Sequence, residues 1–126
     1  MKKEYIDYIC ALYGYLLRIQ EIHWDPDCNA YHVRSDEFYD IVKDATDDFA
    51  ECAMGLEGKK FPKGKLLPML PNSMDFPGML KELEKDTIDM RTKVNSTEEG
   101  RNSGLANILD DFIQNINKYK YLTSFR

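Results

Sequence analysis

Apolar residues recur at three- and four-residue steps along most of the chain, and turn-forming residues divide them into four helical stretches. Over residues 3–24, Tyr5, Ile9, Leu12, Leu16 and Ile19 form one stripe that Tyr8, Tyr15 and Ile22 broaden. Asp25-Pro26-Asp27-Cys28-Asn29 then breaks the pattern, so a short connection leads into an antiparallel second helix. That helix covers about 30–57 and stops at Gly58, and its apolar side carries Phe38, Ile41, Val42, Ala45, Phe49, Cys52, Ala53 and Leu56. The next stretch, KKFPKGKLLPMLPNSMDFPG, holds four prolines and no sustained period, which makes residues 58–76 a linker. Pro77 suits the first turn of a third helix over 77–95, whose apolar stripe is Leu80, Leu83, Thr87, Met90 and Val94. Ser96 and Glu99 have the spacing of a capping box, while Gly100, Ser103 and Gly104 suit a bent connection equally well. A fourth helix over 103–122 buries Leu105, Ile108, Leu109, Phe112, Ile113, Ile116 and Tyr119.

Four helices without a strand pattern or an internal repeat predict one all-α domain over residues 1–126. The nineteen residues 58–76 reach ~60 Å when extended, against ~40 Å for the length of the second helix. An up-down-up-down bundle needs only a handful of residues there. The length therefore favours a ferritin-like four-helix bundle, with a long crossover linker between helices two and three and those helices running the same way. A mobile lid or a docking loop is the competing reading of the linker.

The second helix also carries a polar line. His32 and Asp36 are four residues apart, as are Asp47 and Glu51, and eleven residues separate the pairs. At about 100° per residue these four side chains share roughly 100° of the helix circumference, nearly opposite the apolar side. One ion cannot touch both pairs, because eleven residues span ~16 Å along the axis. If the helix met a copy of itself antiparallel across a two-fold axis, Asp36 of one chain would approach Asp47 and Glu51 of the other, giving two symmetric sites. The plainer reading is a solvated charged face. Tyr39, Ala50, Met54 and Val33 lie in or beside the line and argue for an interface, and Lys43 in its middle argues against one. His23 continues the stripe of the first helix, where a packed histidine with one nitrogen satisfied accounts for it; Trp24 signals core or interface. Histidine with carboxylates suits iron, manganese or zinc.

The 126 residues suffice for a single core. A formal net charge of -5 disfavours nucleic acid and anionic membranes and suits the collection of cations. Lys59, Lys60, Lys63 and Lys65 form a small basic run read as solvated. Cys10, Cys28 and Cys52 are odd in number and lack metal-ligand spacing, so reduced thiols and a cytoplasmic location are expected. The N-terminal stretch is interrupted by Glu4, Asp7 and Gly14, unlike a signal peptide or a membrane span.

Ile22-His23-Trp24, a short loop, and then the H-x3-D-x10-D-x3-E line on the second helix resemble the ferroxidase signature of the Dps-like mini-ferritins of the ferritin superfamily. The final helix, SGLANILDDFIQNINKYKYLTSF, is similar in pattern to that family's last helix. The resemblance implies metal ligands His23, His32 and Asp36 from one subunit and Asp47 and Glu51 from its two-fold partner, with Trp24 as a redox neighbour. It implies oxidation of Fe2+ by peroxide or oxygen, Mn or Zn as substitute ions, storage and detoxification of iron with oxidative protection, and a homodimer that closes into a dodecamer. Three features depart from the family: the nine-residue step from His23 to His32 is shorter than usual, the proline-rich linker replaces a small interface helix, and no lysine-rich tail precedes the first helix. DNA binding is not expected. The alternatives are a catalytically inactive ferritin-like structural or protein-binding subunit, and a dimeric scaffold whose linker binds a protein partner.

Overall fold

The computed structural model describes residues 1–101 and 103–125, and every regular element among them is an α-helix. They are α1 (Lys3–Trp24), α2 (Asn29–Glu57), α3 (Phe76–Asn95), α4 (Glu98–Arg101) and α5 (Leu105–Leu122). Gly58 ends α2 in the left-handed region (φ 65, ψ 30), a conformation that glycine enters without a side-chain clash. Asp75 caps α3 by accepting the N–H of Gly78 at 2.7 Å, and Pro77 occupies the first turn, where its missing N–H costs no helical bond. The additional element, α4, is a single turn that the apolar pattern does not announce. Thr97, rather than Ser96, caps it by accepting the N–H of Gly100 at 3.0 Å, and the last long helix starts only at Leu105.

The long helices pack α1 with α2, α2 with α5, α5 with α3 and α3 with α1, so α2 and α3 lie across a diagonal. At one end Phe49 of α2 meets Tyr5 and Tyr8 of α1 edge-on, with ring centroids 5.6 and 5.1 Å apart. At the other end Tyr31 of α2 meets Phe76 at the start of α3, and Phe38 meets Tyr119 near the end of α5. Tyr8 bonds Thr87 at 2.9 Å and Tyr15 donates to Asp86 at 2.5 Å, and Arg18 near the end of α1 donates to the Ser73 carbonyl just before α3, so α3 is antiparallel to α1. It follows that α2 and α3 run in the same direction, and that residues 58–75 travel the length of the molecule between them.

That linker is pinned along α1. The Cys10 carbonyl accepts the N–H of Met69 at 3.0 Å, and the Cys10 thiol donates to the Lys65 carbonyl at 3.3 Å. Arg18 donates to the Ser73 carbonyl, and the Glu82 carboxylate accepts the N–H groups of Asn72 and Ser73 at 3.0 and 2.9 Å. Gly14 makes the crossing feasible: a Cβ there would stand 1.7 Å from the Met69 carbonyl oxygen.

The buried side of α2 is rotated from the purely apolar reading. Phe38, Val42, Phe49 and Ala53 are buried, but Ile41, Ala45, Cys52 and Leu56 are only half-buried. Tyr31, Ser35 and Thr46 take the remaining buried positions. The two aliphatic hydroxyls bond carbonyls of their own helix, Ser35 to His32 at 3.1 Å and Thr46 to Val42 at 2.7 Å, so they are buried without a lost hydrogen bond. The His32–Asp36 end of the polar line lies beside α1. No helix among the described residues is long and apolar enough to cross a membrane.

Candidate metal centre

His23 ends α1 and His32 opens α2, so the tight turn at residues 25–28 brings them together. Their rings stack with centroids 4.2 Å apart and planes 16° from parallel. Each holds the other's backbone: Nδ1 of His23 donates to the His32 carbonyl at 3.0 Å, and Nδ1 of His32 donates to the His23 carbonyl at 2.9 Å. A carbonyl only accepts, so both Nδ1 atoms carry the proton and both Nε2 atoms keep a lone pair whenever the rings are neutral. This is the state in which a histidine binds a metal ion, with its second nitrogen oriented by a backbone acceptor. Ser35 Oγ lies 3.4 Å from His23 Nδ1.

The short step between the two histidines therefore does not separate them. A nine-residue excursion through Pro26 closes on itself because the interlocked carbonyl bonds hold its two ends. A cleft of about 190 Å³, lined by Ile19, Gln20, His23, Ser35, Asp36 and Tyr39, opens between α1 and α2. It brings His23 and Asp36 to one recess, with His32 stacked alongside. Ser35, Gln20 and Tyr39 were not singled out by the sequence as parts of this cleft. For Ser35 the available signal is a small hydroxyl at the third position after His32, on the side turned to α1.

Asp47 and Glu51 stand elsewhere. Both are exposed, as is Asp36; Asp47 lies about three turns farther along α2, roughly 16 Å from Asp36, and Glu51 about one turn beyond it. Among the described residues of a single chain, no three His, Cys, Asp or Glu side chains gather closely enough to hold an ion. One chain thus presents a histidine-rich half at one end of the line and a carboxylate half at the other. Trp24 is not in the cleft. It is 74% exposed and overhangs a different groove on the far side of the α1 terminus.

A family model described as a family of unknown function (DUF5856) matches residues 23–122. The chain belongs to this family. No curated protein and no solved structure matches it. The DUF5856 match begins at His23 and takes in the histidine pair, the whole acidic line and the three long helices that follow α1. The three cysteines are free thiols, Cys10 buried and Cys28 and Cys52 half-buried, and the backbone carbonyl of Cys28 accepts the N–H of His32 at 3.2 Å.

Proposed function

We propose that this DUF5856 chain is a Dps-like ferroxidase that binds ferrous iron between two copies of itself and oxidises it for storage and detoxification. The observation that carries the reading is the reciprocal His23–His32 lock, which prepares two imidazole Nε2 donors beside Asp36 on the face that also bears Asp47 and Glu51. A ferritin-like path is supported by the same-direction course of α2 and α3 and by the crossover laid along α1. The donor set fits the substrate, since imidazole nitrogen and carboxylate oxygen suit Fe2+, with Mn2+ and Zn2+ as competitors.

In this reading a two-fold axis crosses α2 near its middle, and each site takes His23, His32 and Asp36 from one copy and Asp47 and Glu51 from the other. Both Nε2 atoms lie outside the interlocking Nδ1 bonds, so each imidazole would offer one nitrogen donor to the ions. Two ferrous ions then supply one electron each to a peroxide, which takes up two protons and leaves as two waters. The carboxylates hold the additional positive charge of the ferric products. Acidic surface in a chain of formal net charge -5 draws the ions in. Dodecamer formation belongs to the same proposal, and so does a cytoplasmic location.

The histidine lock also fastens the α1–α2 corner, and this favours a second reading as a non-catalytic structural subunit. Ferrous oxidation followed by ferric absorbance separates the two. The ferroxidase reading expects a rate well above the buffer blank, reduced at least ~10–100-fold in Asp36→Ala and in Glu51→Ala, since loss of a group that only orients a ligand already costs that much. Mixing those two variants should restore one intact site in each heterodimer. A wild-type rate equal to the blank selects the structural subunit, and no recovery in samples shown to exchange subunits removes the two-fold arrangement.

A further inference from the structure

The groove that Trp24 overhangs is separate from the cleft that holds His23 and Asp36. It measures about 500 Å³ and lies between the end of α1 and the start of α3, with Glu21, Asp25, Asp27 and Asp75 supplying carboxylates around Trp24 and Met74. Met74 is 73% exposed, so the groove offers apolar surface to solvent next to negative charge. The cation inside it, Arg18, is committed: it is 6% exposed and bonds Glu21 and the Ser73 carbonyl.

The complementary chemistry is at the opposite end of the same chain. Lys59, Lys60, Lys63 and Lys65 are exposed at the start of the linker, and Leu66, Leu67, Met69 and Leu70 follow them, also exposed. Anchorage of Lys65 and Met69 on Cys10, with Gly14 beneath, presets the shape of this strip. A chain of net charge -5 repels its own copies at long range, but segregation of basic and acidic ends reverses that at one relative orientation. A two-fold that brings Asp36 level with Asp47 of a second copy brings Asn29, at the start of α2, level with Met54 of that copy, about one turn before Gly58 and the lysines, and the Asp25–Asp27 turn stands at that same end.

We propose that the Trp24 groove is the receptor for residues 59–65 of a second copy of this chain, in two equivalent junctions per dimer. The lysines meet Asp25, Asp27 and Asp75, one ammonium lies over the Trp24 ring, and the exposed leucines following them cover Leu17 and the outer side of α1. The inference rests on the two-fold pairing of the proposed function and extends it to the residues that hold the two copies together.

A charge-swap experiment on the full chain tests it. Lys59→Glu with Lys60→Glu makes one variant, and Asp25→Lys with Asp27→Lys makes another; all four positions are half-buried or exposed, and circular dichroism checks that both variants fold. Sedimentation equilibrium should give each variant alone a dimer dissociation constant at least tenfold above wild type, because both of its junctions oppose like charges. Mixed in equal amounts they should form heterodimers with wild-type affinity, since each junction then pairs opposite charges. Wild-type protein that is monomeric, variants that dimerise as wild type does, or a mixture that fails to recover would each overturn the inference. Ferrous oxidation measured on the same samples keeps the two proposals apart. Recovery of dimers without any oxidation sinks the ferroxidase and leaves the junction, whereas oxidation and dimerisation indifferent to the swaps sink the junction alone.

Discussion

Gly14 and Gly55 look alike in the sequence, each a glycine inside a helix, and their surroundings make them opposites. A methyl group at Gly14 would strike the Met69 carbonyl, whereas at Gly55 nothing lies within 4 Å. Gly14→Ala should therefore destabilise the protein by about 1–3 kcal/mol, the usual cost of forcing atoms into a packed site, and Gly55→Ala should stabilise it by about 0.5–1 kcal/mol through the entropy of the unfolded chain. Thermal denaturation of the pair checks both signs. The same dependence on context governs the site. His32, Asp36, Asp47 and Glu51 were legible as one line because helical period alone aligns them. The bond each histidine makes to the other's carbonyl was not legible, since it depends on how two helices close around residues 25–28.

Among the elements, α3 had the faintest apolar stripe, yet Leu80, Leu83, Thr87, Met90 and Val94 are all buried. Thr87 fits because its hydroxyl meets Tyr8, and the start of the helix is secured from outside its own stripe by the linker. Glu82 is the clasp. Burial alone would raise its pKa, but hydrogen bonds from Asn72 and Ser73, with the charge of Arg18, hold it below the ordinary glutamate value. A folded-state pKa lowered in this way contributes stability that is present above the ordinary value and lost as pH falls through the folded one. Asp110 adds to the same acid-side loss, because its hydrogen bond from Arg91 holds it below the ordinary aspartate value, although that pair is too exposed to contribute much. Glu82→Gln should accordingly flatten the fall in stability below about pH 4 while lowering the neutral-pH plateau. Denaturant titrations at a series of pH values measure this slope, and a slope equal to wild type would show that the clasp is not the titrating group. Asp75→Ala, which removes the α3 cap, should cost about 1 kcal/mol at neutral pH in the same assay.

For the whole molecule the consequence is linkage between ions and assembly. If each ion touches two copies, it binds the dimer in preference to the monomer, and mass action then requires the ion to tighten the dimer. Adding Zn2+, which is not oxidised, should lower the dimer dissociation constant of wild-type protein and leave that of Asp36→Ala unchanged, as read by sedimentation. An equal effect on both proteins would place the ion away from the proposed centre.

Local period and turn chemistry, which act between residues a few positions apart, were enough to mark the four long helices to within a residue or two, the stop at Gly58, the length of the crossover and the shared face of His32, Asp36, Asp47 and Glu51. Tertiary packing decided what depends on distant segments. It turned Ser35 and Thr46 inward, laid Met69 over Gly14, locked His23 to His32 and carried Trp24 away from the cleft to a groove of its own. Those contacts arise only when helices far apart in sequence compete for the same space, and no period along a single helix records that competition.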